Sequence, residues 1–182
     1  SKERVDRIIE KAKLYSWDKG RVKGLVFCAL VKEARELSRL FNERGYRTIA
    51  LDGDSSEEER EQAIHALESD EIQGEYLDYI FTVDIFNEGV DIPCVNQVVM
   101  LRPTQSAIIF VQQLGRGLRK DDSKSYVSVI DFIGNYENNF FIPIALYGDN
   151  SYNKDNLRKA LSEGSSAIPG TSTIQINEIA KQ

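Results

Sequence analysis

The sequence predicts an α/β protein with a mostly parallel sheet and helices on both faces of the sheet. Three observations carry this prediction. Segments with strand character alternate with segments of helical periodicity through short links, as in consecutive βα units. The apolar run at 24–30 is continuous rather than alternating, which is typical of a strand covered on both faces. An apolar stripe at helical spacing follows directly, at 31–44.

Three helices are predicted in the first part of the chain. Residues 2–15 repeat apolar side chains at helical spacing. The helix at 31–44 ends before Gly45, and its apolar stripe consists of Leu30, Ala34, Leu37 and Phe41. The third helix begins at Ser56, which forms a capping box with Glu59. Its inner face consists of Ala63, Ile64 and Leu67.

Further strands are predicted at 47–51, 78–83, 97–101 and 126–131, with a helix at 106–118. Beyond them, two helical segments, a linker rich in Gly, Ser and Pro and a weak strand pattern follow. We therefore predict a lead-in helix at 1–20, an α/β lobe at 21–134, and a C-terminal helical extension with a linker at 135–182.

Composition excludes several classes of protein. The chain has 182 residues, a net charge of -6 and a pI of about 5.0, so a basic footprint over the whole surface is absent and any contact with nucleic acid must be local. No apolar run approaches the roughly 18 residues of a membrane span. Cys28 and Cys94 lack the spacing of a zinc site or a disulfide framework, and His65 is the single histidine. We expect no metal site, no membrane association and a reducing, cytoplasmic setting.

The segment at 112–119 combines phosphate-binding chemistry with a helical pattern. An apolar stripe anchors one side, and Gln112, Arg116 and Arg119 project together from the other. Two planar guanidiniums in this arrangement suit phosphate oxygens. Gly115 is unfavourable in a helix interior, which indicates close approach of another surface. Taken alone, the same pattern also fits solvated surface arginines.

A second segment, 82–93, follows a buried strand at the edge where α/β proteins bind ligands. Gly89 permits an unusual backbone angle. Asp91, between two apolar residues, could accept hydrogen bonds from a ribose hydroxyl. An acidic turn between two strands fits the segment equally well.

Together these motifs resemble the second RecA-like lobe of superfamily 2 helicases and translocases, in the bacterial DEAD/DEAH and restriction-subunit-like branch. LVFCAL at 25–30 resembles motif IV, and the segment at 45–60 resembles the intervening Gly and Arg signature. Thr82 with EGVDIP at 88–93 resembles motif V, and QQLGRGLRK at 112–120 resembles motif VI. The order and spacing match over about residues 22–133.

The resemblance implies a mechanism shared between two lobes. ATP and Mg²⁺ would bind between this lobe and an N-terminal RecA-like lobe of the same polypeptide, with the chain acting as a monomer. By motif match, Arg116 and Arg119 would be arginine fingers that stabilise the transferred phosphoryl group. The nucleotide-binding residues would be Gln112, Gly89, Asp91 and Gly115. Thr82 and the backbone amides near Ala29 and Leu30 would hold the phosphates of DNA or RNA.

Two departures qualify the resemblance. Gln113 replaces the basic residue usual in motif VI, and no phosphate loop or DE-x-x magnesium box occurs in the sequence. This chain alone is therefore expected to be inactive, because those parts belong to the first lobe. Two other functions stay open. One is a non-catalytic docking or nucleic-acid-binding module that retains the lobe, and the other is a complete small nucleotide-binding enzyme.

Overall fold

The structure, a computed structural model, describes residues 2–71, 73–86, 92–102 and 126–132. Within these ranges the chain forms three helices and five strands. The helices are α1 (Lys2–Tyr15), α2 (Val31–Asn42) and α3 (Glu57–Glu68). The strands are β1 (Gly24–Phe27), β2 (Thr48–Leu51), β3 (Tyr79–Thr82), β4 (Gln97–Met100) and β5 (Ser128–Asp131). Every strand lies within a segment predicted to be one.

All five strands form one parallel sheet in the order β2-β3-β1-β4-β5. The central strand β1 pairs with β3 on one side and β4 on the other, so that Gly24 aligns with Tyr79 and Gln97. Because the strands are parallel, the segments that follow them meet at one edge of the sheet, which we call the carboxyl edge. The segments that precede them form the amino edge.

Helices cover both faces of the sheet, as predicted. Successive side chains of β1 alternate between two buried clusters, with Leu25 in one and Val26 in the other. The cluster around Leu25 includes Ala63 and Leu67 of α3. The cluster around Val26 includes the inner faces of α1 and α2. This two-sided burial explains why the run at 24–30 is continuously apolar.

The predicted capping box of α3 is confirmed, and one prediction for α2 is wrong. The Ser56 side chain accepts a hydrogen bond from the Glu59 amide, and the Glu59 side chain accepts one from the Ser56 amide. Leu30, predicted on the inner stripe of α2, is 66% exposed. It is the N-cap residue with an extended backbone, so it lies off the helical stripe. Ala34, Leu37 and Phe41 are buried as predicted.

A polar relay ties α1 to the amino edge of the sheet. The Tyr79 hydroxyl donates to Gln97 Oε1 at 2.7 Å, and Gln97 Nε2 donates to the carbonyls of Ala12 and Ser16 at 2.9 and 2.8 Å. The Tyr79 ring lies over Gly24, where a Cβ atom would collide with it. Glycine at this position therefore makes room for the tyrosine.

Arg21 at the same edge binds the C-terminal end of α3. Its guanidinium donates to five main-chain carbonyls, and three of these, of Ala66, Leu67 and Ser69, lie in the last turn of α3 and at its C-cap. The acceptors are the carbonyls of Val22, Ala66, Leu67, Ser69 and Leu77. A cation at a helix C-terminus is also favoured by the helix dipole.

The predicted helix at 106–118 and the extension at 135–182 lie outside the described residues, and the domain boundaries remain predictions. In the part of the chain that is described, no helix has both the length and the apolar character needed to cross a membrane.

Candidate functional site

The carboxyl edge brings together residues that are far apart in the sequence. Ala29 and Leu30 follow β1, Thr82 ends β3, Asp84 follows two residues later, and Arg102 follows β4. These strands are adjacent in the sheet. The structure thus places the three predicted nucleic-acid-binding residues at the edge where parallel α/β sheets bind ligands.

Both peptide groups of Ala29 are hydrogen-bonded within the chain. The Ala29 N–H donates to Glu33 Oε2 at 3.1 Å, and the Ala29 carbonyl accepts from Arg102 Nη1 at 2.8 Å. The other Glu33 oxygen pairs with Arg4 Nη1 at 2.7 Å. The amide predicted to bind phosphate therefore already has a carboxylate partner.

Leu30 is the N-cap residue of α2, and its side chain is exposed. Its carbonyl accepts from the Ala34 amide at 3.0 Å, but its side chain carries no capping group. The partial positive charge of the helix dipole is concentrated at this end. The exposed Leu30 is thus located beside amides that suit an anion.

Thr82 is more enclosed than a residue that contacts a surface ligand. It is 0% exposed, and its carbonyl accepts a hydrogen bond from the Cys28 amide at 2.9 Å. Among the described residues, its Oγ1 atom is buried without a hydrogen-bond partner. A buried hydroxyl in this state costs about 1–3 kcal/mol. The predicted phosphate contact of Thr82 requires neighbouring groups to move, and it remains a prediction.

Asp84 and Arg102 also lie at this edge, and neither was predicted to be a site residue. Asp84 has a positive φ of 52°, a conformation that Asp adopts more readily than most residues. Its Oδ2 lies 3.9 Å from Arg102 Nη1, the atom that also binds the Ala29 carbonyl. Arg102 thus connects the segments that follow β1, β3 and β4. The position of Asp84 directly after a buried strand is the sequence signal for it.

The turn after β2 is organised around a buried carboxylate. Asp52 accepts from Arg35 Nη2 at 2.8 Å and from the Asp54 amide at 3.0 Å. Arg60 of α3 donates to the carbonyls of Asp52 and Gly53. Asp52 and Arg60, both in the segment at 45–60, therefore stabilise this turn.

Burial suppresses the chemistry of Cys28, the residue before Ala29. Desolvation, with a smaller contribution from the Glu33 carboxylate, raises the pKa of the Cys28 thiol to about 12. The thiol is therefore protonated at neutral pH and is a poor nucleophile. In the described ranges, no group of three or more His, Cys, Asp and Glu side chains could hold a metal ion.

The six residues predicted on the nucleotide side lie outside the described residues. They are Gly89, Asp91, Gln112, Gly115, Arg116 and Arg119. Their roles remain predictions.

Comparison with known families decides the identity of the lobe. The model of the helicase conserved C-terminal domain matches residues 3–121. The chain belongs to this family. The matched residues of this helicase C-terminal domain include nearly all of α1, the strands β1 to β4 and the segments resembling motifs IV, V and VI. The expectation of a second RecA-like lobe is confirmed.

Relatives of this helicase C-terminal domain occur in fungi, archaea and bacteria. The chain is similar to IRC3 of Saccharomyces cerevisiae, with 29% identity over 131 residues that cover 71% of the chain and 18% of IRC3. It is also similar to the ATP-dependent RNA helicase DBP3 of Candida glabrata, with 32% identity over 117 residues, 64% of the chain and 20% of the relative. The chain thus spans about a fifth of the length of these relatives.

Solved structures support the fold of the helicase C-terminal domain. The C-terminal domain of the DEAD-box protein Dbp5 superposes with a TM-score of 0.52 at 21% identity, covering 72% of the chain and 70% of that domain. A variant of the S. cerevisiae Dbp5 domain, solved with Gle1 and IP6, gives 0.54 at 18% identity, covering 90% and 92%. The restriction-subunit-like bacterial branch receives no support from these comparisons, since the relatives include the fungal RNA helicase DBP3 and a putative ATP-dependent RNA helicase of the archaeon Methanocaldococcus jannaschii.

Proposed function

We propose that this domain is the C-terminal motor lobe of an ATP-dependent helicase or translocase that acts on nucleic acid. The match of the helicase C-terminal family over residues 3–121 carries the proposal. The position of Ala29, Leu30 and Thr82 at one sheet edge supports it, because this edge can meet a nucleic-acid backbone. Backbone contacts read no sequence, so a local groove suffices despite the net charge of -6.

On the nucleotide side, Arg116 and Arg119 would stabilise the charge that develops on the transferred phosphoryl group. Gln112, Gly89, Asp91 and Gly115 would contact the nucleotide or stabilise the closed cleft. An upstream lobe of the same polypeptide would bind ATP and Mg²⁺ through its phosphate loop and acidic box. Among the described residues of this lobe, no cluster of His, Cys, Asp and Glu could hold the metal.

Motion between the two lobes would convert hydrolysis into stepping along a strand. ATP closes the cleft and hydrolysis opens it, which changes the distance between the backbone contacts of the two lobes. In this proposal the strand is DNA or RNA, and the protein acts as a monomer in the cytoplasm. A bacterial source, which the predicted branch implies, is a further part of it.

The test uses the full-length protein with Arg116→Ala and Arg116→Lys. If Arg116 acts in the transition state, Arg116→Ala lowers kcat by about 10³-fold while ATP affinity changes much less. Arg116→Lys restores little, because an ammonium cannot reproduce the planar guanidinium. Single-turnover hydrolysis, ATP affinity and thermal melting are measured for each variant.

Arg7→Ala is the matched control, because Arg7 is an exposed arginine on α1. It should hydrolyse ATP at the wild-type rate. A near-normal rate in Arg116→Ala would remove this residue from the mechanism. ATP turnover by the 182-residue chain alone would contradict the half-motor proposal. Nucleic-acid binding without ATPase activity in the full-length protein would favour the alternative of a non-catalytic binding module.

A further inference from the structure

Glu33 occupies a position where a bound anion is expected. Its Oε2 accepts the Ala29 N–H at 3.1 Å, and this amide is one of those predicted to hold a nucleic-acid phosphate. Glu33 lies in the first turn of α2, where the helix dipole favours negative charge. Only 18% of its side chain is exposed. The chain's own carboxylate thus takes the donor that a phosphate would use.

Arg4 holds the second oxygen of the same carboxylate. The Nη1 atom of Arg4 lies 2.7 Å from Glu33 Oε1, and 49% of the Arg4 side chain is exposed. A cation suited to a phosphate is therefore already paired, although it remains open to water. A phosphate that approached Ala29 would meet a like charge and would have to displace Glu33 from both partners.

We propose that Glu33 sets the affinity of the carboxyl edge for single-stranded nucleic acid by competing with a backbone phosphate for the Ala29 amide and the Arg4 guanidinium. The proposal deepens the proposed function and rests on it. When the phosphate takes the place of the carboxylate, it gains both the amide and the cation. Glu33 therefore lowers the affinity of the edge without blocking it.

Glu33→Gln separates charge from hydrogen bonding. The amide oxygen of glutamine can still accept the Ala29 N–H, so the loop keeps its internal bond. The negative charge is removed, and Arg4 is released to pair with a phosphate. Glu36→Gln is the matched control, because it makes the same charge change on the same helix. Glu36 is 54% exposed and pairs with Arg39 rather than with Ala29 or Arg4.

The experiment measures fluorescence anisotropy of short labelled oligo(dT) and oligo(U) with the full-length protein at low salt. Glu33→Gln should bind about fivefold more tightly than wild type, the effect expected from removing one like charge near a phosphate. Glu36→Gln should bind as wild type does. Adding Arg4→Gln to Glu33→Gln should abolish the gain, because the released cation is then absent.

Thermal melting of every variant controls for folding. If Glu33→Gln folds poorly, Arg4→Gln alone supplies the test, since it leaves the bond between Ala29 and Glu33 in place. That variant should bind more weakly than wild type, and unchanged binding overturns the proposal. Equal affinities of folded Glu33→Gln, Glu36→Gln and wild type also overturn it, while the proposed function stands. Failure of the wild type to bind either oligonucleotide would instead contradict the proposed function.

Discussion

The two edges of the sheet use polar groups in opposite ways. At the amino edge, Tyr79 and Gln97 are buried and fully engaged, and Arg21 donates to a series of main-chain carbonyls. At the carboxyl edge, Thr82 is buried with an Oγ1 that has no partner among the described residues, and Leu30 is 66% exposed. The amino edge therefore stabilises the fold, whereas the carboxyl edge holds a buried hydroxyl whose burial is not offset by a hydrogen bond among the described residues.

Because the two edges differ in hydrogen bonding, we expect substitutions at the amino edge to affect stability and substitutions at the carboxyl edge to affect function. Polar groups with complete hydrogen bonding are costly to remove, because their buried partners then lose theirs. A polar group without a partner already carries that cost, so its removal relieves it. The same kind of change, from a polar to an apolar side chain, should thus have opposite effects at the two edges.

The largest expected effect is at the amino edge. Gln97→Leu removes the hydrogen bonds that the Gln97 side chain forms with the Tyr79 hydroxyl and with the carbonyls of Ala12 and Ser16. This substitution should lower the free energy of unfolding by about 3 kcal/mol. Urea denaturation followed by the fluorescence of Trp17, the single tryptophan, measures it. Gln62→Leu is the control, because Gln62 is exposed and its side chain donates to the exposed Glu58 on the same helix. It should change the free energy of unfolding by less than about 0.5 kcal/mol. If both substitutions lower the free energy of unfolding equally, the hydrogen bonds of Gln97 stabilise the fold no more than those of an exposed surface residue.

Local sequence patterns predicted the helices and strands, but they did not predict hydrogen bonds between residues far apart in the sequence. Ser56 and Glu59 are three residues apart, so the capping box could be predicted from the sequence and is confirmed. The relay through Gln97 joins residues 18 and 85 positions away, and no periodicity signals such a contact. Likewise, the sequence gives no sign that Gly24 is needed at the start of β1, because that need comes from the Tyr79 ring, which lies over it.

The candidate site could be predicted only in part. The strand ends placed Ala29, Leu30 and Thr82 at the same edge, because parallel strands share a direction. The burial of Thr82 and the pairing of Ala29 with Glu33 depend on side-chain packing, which the motifs do not encode. An acidic residue in the first turn after a motif IV strand is the signal that points to Glu33.

The burial of the Cys28 thiol, next to Ala29 at the carboxyl edge, should make the stability of the fold depend on pH. The pKa of Cys28 is raised from 9.0 to about 12, so the thiol stays protonated in the folded chain while the unfolded chain loses its proton above pH 9. The stabilisation is complete below pH 9 and is lost as the pH rises toward 12. Between pH 9 and 10, wild-type stability should fall with a slope that approaches about 1.4 kcal/mol per unit.

Cys28→Val should lack this contribution, and urea denaturation at several pH values measures the difference. The window below pH 10 separates Cys28 from Tyr79, whose pKa burial raises above its ordinary value of 10.0. An identical slope in Cys28→Val would mean that water reaches the thiol and that this edge is open beneath Ala29.

The most direct test of the contrast between the edges is Thr82→Val, measured for stability and for function. Valine has the shape of threonine without the hydroxyl, so the unfolding free energy should rise by about 1 kcal/mol. In the full-length protein, ATPase activity stimulated by single strands should fall about tenfold, the loss expected for one hydrogen bond to a charged phosphate. We expect a more stable variant with impaired stimulation. A less stable Thr82→Val with normal stimulation would contradict this expectation.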